Sequence, residues 1–147
     1  MNATVQPERA EYVWPVRVYW EDTDAGGIVF YANYLKFFER ARTEWLRSLG
    51  INQQALRLET GGMFVVADTQ VRYLHPARLD DELIVTARLQ EIGKASMTIQ
   101  QEARLKNSGA VPPPSSVLCS GTIRIGWVHS EKLSPARIPP AILKLLT

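Results

Sequence analysis

Apolar positions change their spacing twice along this chain. In PVRVYW, residues 15–20, they alternate with polar ones. Val16, Val18 and Trp20 fall on one side and Arg17 and Tyr19 on the other, the period of a half-buried strand. Over residues 32–49 the interval widens to three and four: Tyr34, Phe38, Ala41, Trp45 and Leu49 form a stripe that Phe37 broadens. Lys36, Glu39, Arg40, Arg42, Glu44 and Arg47 occupy much of the remainder. That pattern predicts an amphipathic helix of about 27 Å at the α-helical rise, with Gly50 as its stop. A shorter helix is expected over residues 52–60, ended by Gly61 and Gly62.

Beyond that point the period returns to two. FVVADTQVRYL, ELIVTARLQEI, SMTIQQEARLK and VLCSGTIRIGWV are four candidate strands. In the third, Met97, Ile99, Ala103 and Leu105 share one face, and Thr98, Gln100, Glu102, Arg104 and Lys106 the other. In the last, Val117, Cys119, Ile123, Ile125 and Trp127 point one way. The breaks at EIGKAS and NSGAVPPPSS suit antiparallel connections, the second reading as a solvated loop. The tail, SPARIPPAILKLLT, reads as an extended Pro-bearing segment with a helical turn or two. One long helix and about five strands, each with one apolar face, predict an α+β fold: a curved antiparallel sheet wrapped around the helix. No repeat or linker divides the chain, so residues 1–147 are expected to form one domain. A single helix covers only part of such a sheet and edge strands need partners, so self-association is expected.

Composition narrows the function without naming it. Hydrophobic content of 46% and charged content of 22% are those of an ordinary globular protein. A net charge of +2 gives no basis for nucleic-acid binding. The lone Cys119 allows no intrachain disulfide, and no segment has the length or apolarity of a membrane span. A cytoplasmic location is the expectation.

The most informative stretch is EDTDAGGIVFYANYLKFFERARTEWLR, residues 21–47. DTDAGG reads most simply as a turn, where aspartate and glycine are favoured for backbone reasons. A calcium loop is excluded: Gly26 brings no side-chain oxygen to the fifth position, Asn33 stands where a bidentate glutamate is needed, and no entering helix precedes. A catalytic reading also fits. A helix starting near Tyr31 has unpaired N–H groups and a partial positive charge, which can hold a developing oxyanion. The glycines allow a substrate to approach the backbone, and a carboxylate on the preceding turn can attack a carbonyl or activate water.

At these residues the chain resembles the 4-hydroxybenzoyl-CoA thioesterase family of hotdog-fold enzymes, and within it the acyl-CoA thioesterases associated with the bacterial Tol–Pal cell-envelope system. The motif runs D-T-D, G-x-V, an aromatic, N-Y-L and E-R-A-R-T-E, with a weaker match through VRYLHPARLDDEL. The resemblance implies hydrolysis of an acyl-CoA thioester to free acid and CoA, with CoA part of the substrate and no separate cofactor. It implies that Asp24 is the catalytic carboxylate, as nucleophile or general base, and that the Tyr31 N–H polarises the thioester carbonyl. The resemblance also places Lys94 where the family binds nucleotide phosphates; from the residues themselves, Gly27 would let substrate approach the backbone and Phe30 and Tyr31 would line an acyl pocket. A homodimer or homotetramer is expected, with Tol–Pal or phospholipid-synthesis proteins as partners. Two positions depart from the Tol–Pal-associated members: Tyr31 replaces a common histidine and Trp20 a common tyrosine. A backbone oxyanion donor survives that change, whereas a histidine-assisted mechanism does not.

The remaining chemistry-bearing residues read plainly. Asp22 is expected to hydrogen-bond the turn, and Glu39 and Glu44 to lie on a solvated or paired helix face. Arg88 and Arg104 read as surface charges. His75 and His129 lack metal-ligand spacing, so no metal is expected, and Cys119 reads as a buried thiol. A hotdog hydratase would need a histidine beside the aspartate, and residues 21–47 hold none. A non-catalytic thioester-binding module is the other alternative, although a binder has no need of Asp24.

Overall fold

The computed structural model describes residues 9–106 and 116–147; the polar lead and most of the proline-rich connection lie outside them. Its elements are β1 (Tyr12–Arg17), α1 (Asn33–Ser48), α2 (Gln53–Thr60), β2 (Gly62–Tyr73), β3 (Glu82–Ile92), β4 (Ser96–Leu105), β5 (Val117–His129) and α3 (Pro140–Leu146). The strands form one curved sheet in the order β1-β3-β4-β5-β2, every neighbouring pair antiparallel. Consecutive strands β1 and β2 therefore occupy opposite edges, and α1 lies in the connection between them. The predicted architecture is the observed one.

The apolar stripe of α1 supplies the core. Phe37, Phe38 and Ala41 are fully buried, Tyr34 and Trp45 nearly so. They meet Val85, Ala87, Met97, Ile99, Ala103, Cys119 and Ile123 from the sheet. Burying one such phenylalanine contributes about 1.5–3 kcal/mol. Gly121 lets the helix come close: a Cβ there would stand 2.9 Å from Phe38 Cε2. Gly61 ends α2 as expected, in the left-handed region, while Asn52 stands just before the helix and caps it through its side chain.

Two details depart from the sequence reading. The first strand ends at Arg17, earlier than the alternation suggests, and the chain then turns through a short 3-10 segment at Trp20–Asp22. Trp20 consequently does not share the buried side of Val16 and Val18; it is 79% exposed. The second departure concerns polar residues in the interior. Arg42 is buried although it was expected on the polar side of the helix, and Gln101 is fully buried in the middle of β4. Gln101 Nε2 donates to the carbonyls of Phe38 and Thr86, both at 3.0 Å, while its Oε1 accepts from Arg42 Nη1 at 3.0 Å. The β3–β4 pairing is interrupted here, between Val85–Ala103 and Arg88–Gln100. Side chains fill the gap, since Thr86 Oγ1 also accepts from the Glu102 N–H at 2.9 Å.

Candidate active site

Leaving β1, the chain enters a short hairpin that delivers it to the start of α1. Its arms are joined by Phe30 N–H to Asp22 carbonyl at 2.9 Å, a bridge between Thr23 and Val29, and Asp24 N–H to Ile28 carbonyl at 2.9 Å. The Gly27 N–H closes the tip on the Asp24 carbonyl at 3.0 Å, and Gly27 has φ +78°. A residue in the left-handed region directly after the turn is what a three-residue hairpin loop requires, and glycine occupies it without strain.

The two aspartates, two positions apart, have different surroundings. Asp22 is buried, and its Oδ2 accepts from the Tyr19 N–H at 2.8 Å. Its carbonyl also accepts from Asn33 Nδ2 at 2.8 Å, tying the hairpin to the first residue of α1. This is the turn-bonding part expected of it. Asp24 is exposed, and its Oδ1 accepts from the Gly26 N–H at 2.8 Å. Its second oxygen meets no donor among the described residues.

The helix start is open. Phe30 carbonyl accepts from the Asn33 N–H at 2.8 Å, so the chain is already turning at Tyr31, yet Ala32 at the cap position provides no side-chain acceptor. The Tyr31 N–H finds no acceptor among the described residues. The partial positive charge of a helix end is therefore presented without a built-in neutralising group. Asp24 faces Ile28 across the hairpin, three residues before Tyr31, about 10 Å of extended chain.

A hollow of about 290 Å³ lies beside this start, walled by Ile28, Tyr31, Tyr34, Tyr73, Leu74 and His75. Tyr73 hydroxyl donates to the Tyr31 carbonyl at 3.0 Å, and the two rings meet edge to face, centroids 6.0 Å apart. Tyr34 hydroxyl accepts from the Ala77 N–H at 3.1 Å. Burial raises the pKa of both phenols, so both remain donors well beyond neutral pH. Phe30 is half exposed and packs on Tyr31 with centroids 4.8 Å apart. Sequence reading missed Tyr34, Tyr73 and His75 as wall residues. Tyr34 was assigned to the core stripe, and nothing local indicates that the end of β2 returns to the helix start.

Asp24, Gly27, Phe30 and Tyr31 thus belong to one continuous feature. Lys94 does not join it within one chain: it is exposed in the β3–β4 turn, and β3 extends about 30 Å from its Glu82 end to that turn. Arg104 is committed elsewhere, to Glu11 and Glu102. Cys119 is buried, with its thiol pushed up to about 12 by desolvation. Among the described residues no group of His, Cys, Asp and Glu could hold a metal, and no helix is long and apolar enough to cross a membrane.

Comparisons with known proteins agree on the relationship. The model of the thioesterase superfamily matches residues 26–111. The chain is 39% identical over 131 residues to the acyl-CoA thioesterase YbgC of Haemophilus influenzae, covering 89% of this chain and 90% of the relative. It is 40% identical over 143 residues to the acyl-CoA thioester hydrolase YbgC of Escherichia coli, covering 97% and 96%. A crystal structure of a probable thioesterase from Bartonella henselae superposes with a TM-score of 0.78 at 30% identity, covering 88% of this chain and all of the other.

Proposed function

Because the chain belongs to the thioesterase superfamily, we propose that it hydrolyses an acyl-CoA thioester, with Asp24 as its catalytic carboxylate and the Tyr31 N–H as its oxyanion donor. The observation that carries this reading is the pairing of an exposed carboxylate having a spare oxygen with an uncapped helix start on one short hairpin. The thioester carbonyl oxygen accepts from the Tyr31 N–H, and the helix end stabilises the charge that develops on it. One such donor is worth about 3–4 kcal/mol of barrier. Asp24 then either attacks the carbonyl carbon, expelling CoA thiolate and leaving an anhydride for water to open, or removes a proton from an attacking water. Both routes end in a free acid and CoA. Multiple turnovers in oxygen-labelled water separate them, since only the anhydride route places label in the Asp24 carboxylate.

The acyl group would lie in the hollow between Tyr31, Tyr34 and Tyr73, whose walls are aromatic and apolar. CoA enters as part of the substrate, so no further cofactor is required. The assembly in this reading is a cytoplasmic homodimer or homotetramer. The outer edge of β2 supports self-association, being long and exposed from Val66 to Gln70. Lys94 would meet CoA phosphates only from a neighbouring copy, and contact with Tol–Pal or phospholipid-synthesis proteins belongs to the same proposal. The test is thiol release from a panel of acyl-CoAs by wild type and Asp24→Asn. Release that disappears in the variant supports the assignment; equal release by both removes Asp24 from the chemistry.

A further inference from the structure

Helix α1 carries a second polar centre nine residues past Asn33, about 14 Å along its axis. Arg42 there is 9% exposed and is the one buried cation among the described residues. A guanidinium has five N–H donors, and in Arg42 only Nη1 is engaged, with Gln101 Oε1. No carboxylate among the described residues lies within ion-pair reach of it. Arg17 and Arg104, both more exposed, have Glu82 and the Glu11–Glu102 pair respectively. Withdrawing a cation from water is costly: desolvation lowers the Arg42 pKa, and the charge of Glu39, beyond ion-pair distance, offsets this only in part.

The spare donors are not sealed in. No buried side-chain nitrogen among the described residues is shut off from both solvent and partners, so the remaining N–H groups open onto free space. Arg42 lines a pocket of about 140 Å³ between α1, α2, β2 and β5. Leu46, Phe64 and Ile125 form its apolar walls. Glu39 also lines it, but its Oε1 is held by the Thr43 hydroxyl at 3.0 Å, and Gln53 Nε2 donates to that hydroxyl at 3.3 Å. An apolar cavity of about 150 Å³ accommodates a molecule of six heavy atoms such as benzene. One cation, apolar walls and a nearby carboxylate select a singly charged head on a short apolar stem, and disfavour a phosphate or a dianion.

We propose that this pocket binds a short-chain carboxylic acid, its carboxylate on the free edge of Arg42 and its stem against Leu46, Phe64 and Ile125. The ligand is of the chemical class that thioester hydrolysis releases, so occupancy would report the level of product away from the hairpin. The binding itself does not rest on the hydrolytic reading and is measured without turnover.

Calorimetric titration at constant ionic strength, with sodium butyrate and with neutral butyramide, tests it. Butyrate should bind wild type at least about tenfold more tightly than butyramide, and Arg42→Met should lose at least that factor. Glu39→Gln, altering an exposed side chain, should tighten butyrate binding by about threefold. Asp24→Asn should leave it unchanged. Equal affinity for the two probes, or an Arg42→Met variant that binds as wild type does, overturns the proposal. Binding that responds to Asp24→Asn but not to Arg42→Met places butyrate at the hairpin and overturns it too. If Arg42→Met does not fold, butyramide and Glu39→Gln decide, and no difference in either sinks the idea. Absence of butyrate binding, together with loss of self-association in Arg42→Met, would assign the counter-ion to a second copy instead.

Discussion

The centre of β4 and the hairpin before α1 both place polar side chains against the same helix, and they treat them in opposite ways. Gln101 is fully buried, and its amide donates to two carbonyls and accepts from Arg42. Its hydrogen-bonding capacity is spent within the protein. Asp24 is exposed, uses one oxygen on the Gly26 N–H, and stands on the same hairpin as an N–H without an acceptor. Its capacity is left over. Satisfied buried groups stabilise a fold, because leaving any member unpaired costs the full desolvation penalty. Groups with spare capacity at the surface add little to folding and are free to act on a substrate.

The sharpest way to break this contrast is Asp24→Asn. The substitution retains an oxygen for the Gly26 N–H and removes the charge, so thiol release should fall by about 10²–10⁴-fold, while the unfolding midpoint in urea barely moves. A large loss of stability would place Asp24 with Gln101 and erase the distinction. The converse is Gln101→Ala, which strips partners from Arg42, Phe38 and Thr86 at once. A cost of about 3 kcal/mol is expected in denaturant unfolding, with the KM of the folded fraction little changed because the hairpin is untouched. Stability within experimental error of wild type would show that the β3–β4 gap needs no filling.

Asp22 sharpens the comparison because it lies two positions before Asp24 in sequence but behaves like the interior. Its carboxylate is committed to the Tyr19 N–H, a charge-assisted bond worth about 1.5–3 kcal/mol. Asp22→Ala should therefore destabilise by roughly 2 kcal/mol, read from the shift in urea midpoint. Turnover at saturating substrate should fall by no more than about tenfold. A loss of activity matching that of Asp24→Asn, without loss of stability, would instead give Asp22 a direct part in the reaction.

The regular parts of this molecule were legible because each burial pattern has its own period. The stripe from Tyr34 to Trp45 and the alternation in β4 and β5 each needed only local sequence. The site was half legible. Asp24, Gly27 and Tyr31 lie within eight residues, so one motif contains the turn, the glycine it requires and the helix start. What could not be read is whatever depends on the chain's return. Tyr73 reaches Tyr31 from 42 positions away, and Gln101 reaches Arg42 from 59. A polar residue inside an apolar face carries no local mark of the partner that permits it, which is why Arg42 was taken for surface. Trp20 failed differently: the alternation continued in sequence after the backbone had left the sheet.

Tyr73 gives the finest test, since it joins the two kinds of region. Its hydroxyl donates to the Tyr31 carbonyl from the last residue of an edge strand, and the bond is exposed to water. An exposed neutral hydrogen bond contributes about 0.5–1.5 kcal/mol net, so it does little for the fold. It can still steady Tyr31, whose N–H is the proposed oxyanion donor, where a small misplacement is felt in turnover. Tyr73→Phe keeps the ring against Tyr31 and Tyr34 and deletes only that bond. The expected result is a three- to tenfold fall in kcat, a KM within about twofold of wild type, and an unchanged urea midpoint. Should KM rise while kcat stays put, Tyr73 serves the hollow as a wall, and the helix start keeps its own geometry without help from the sheet.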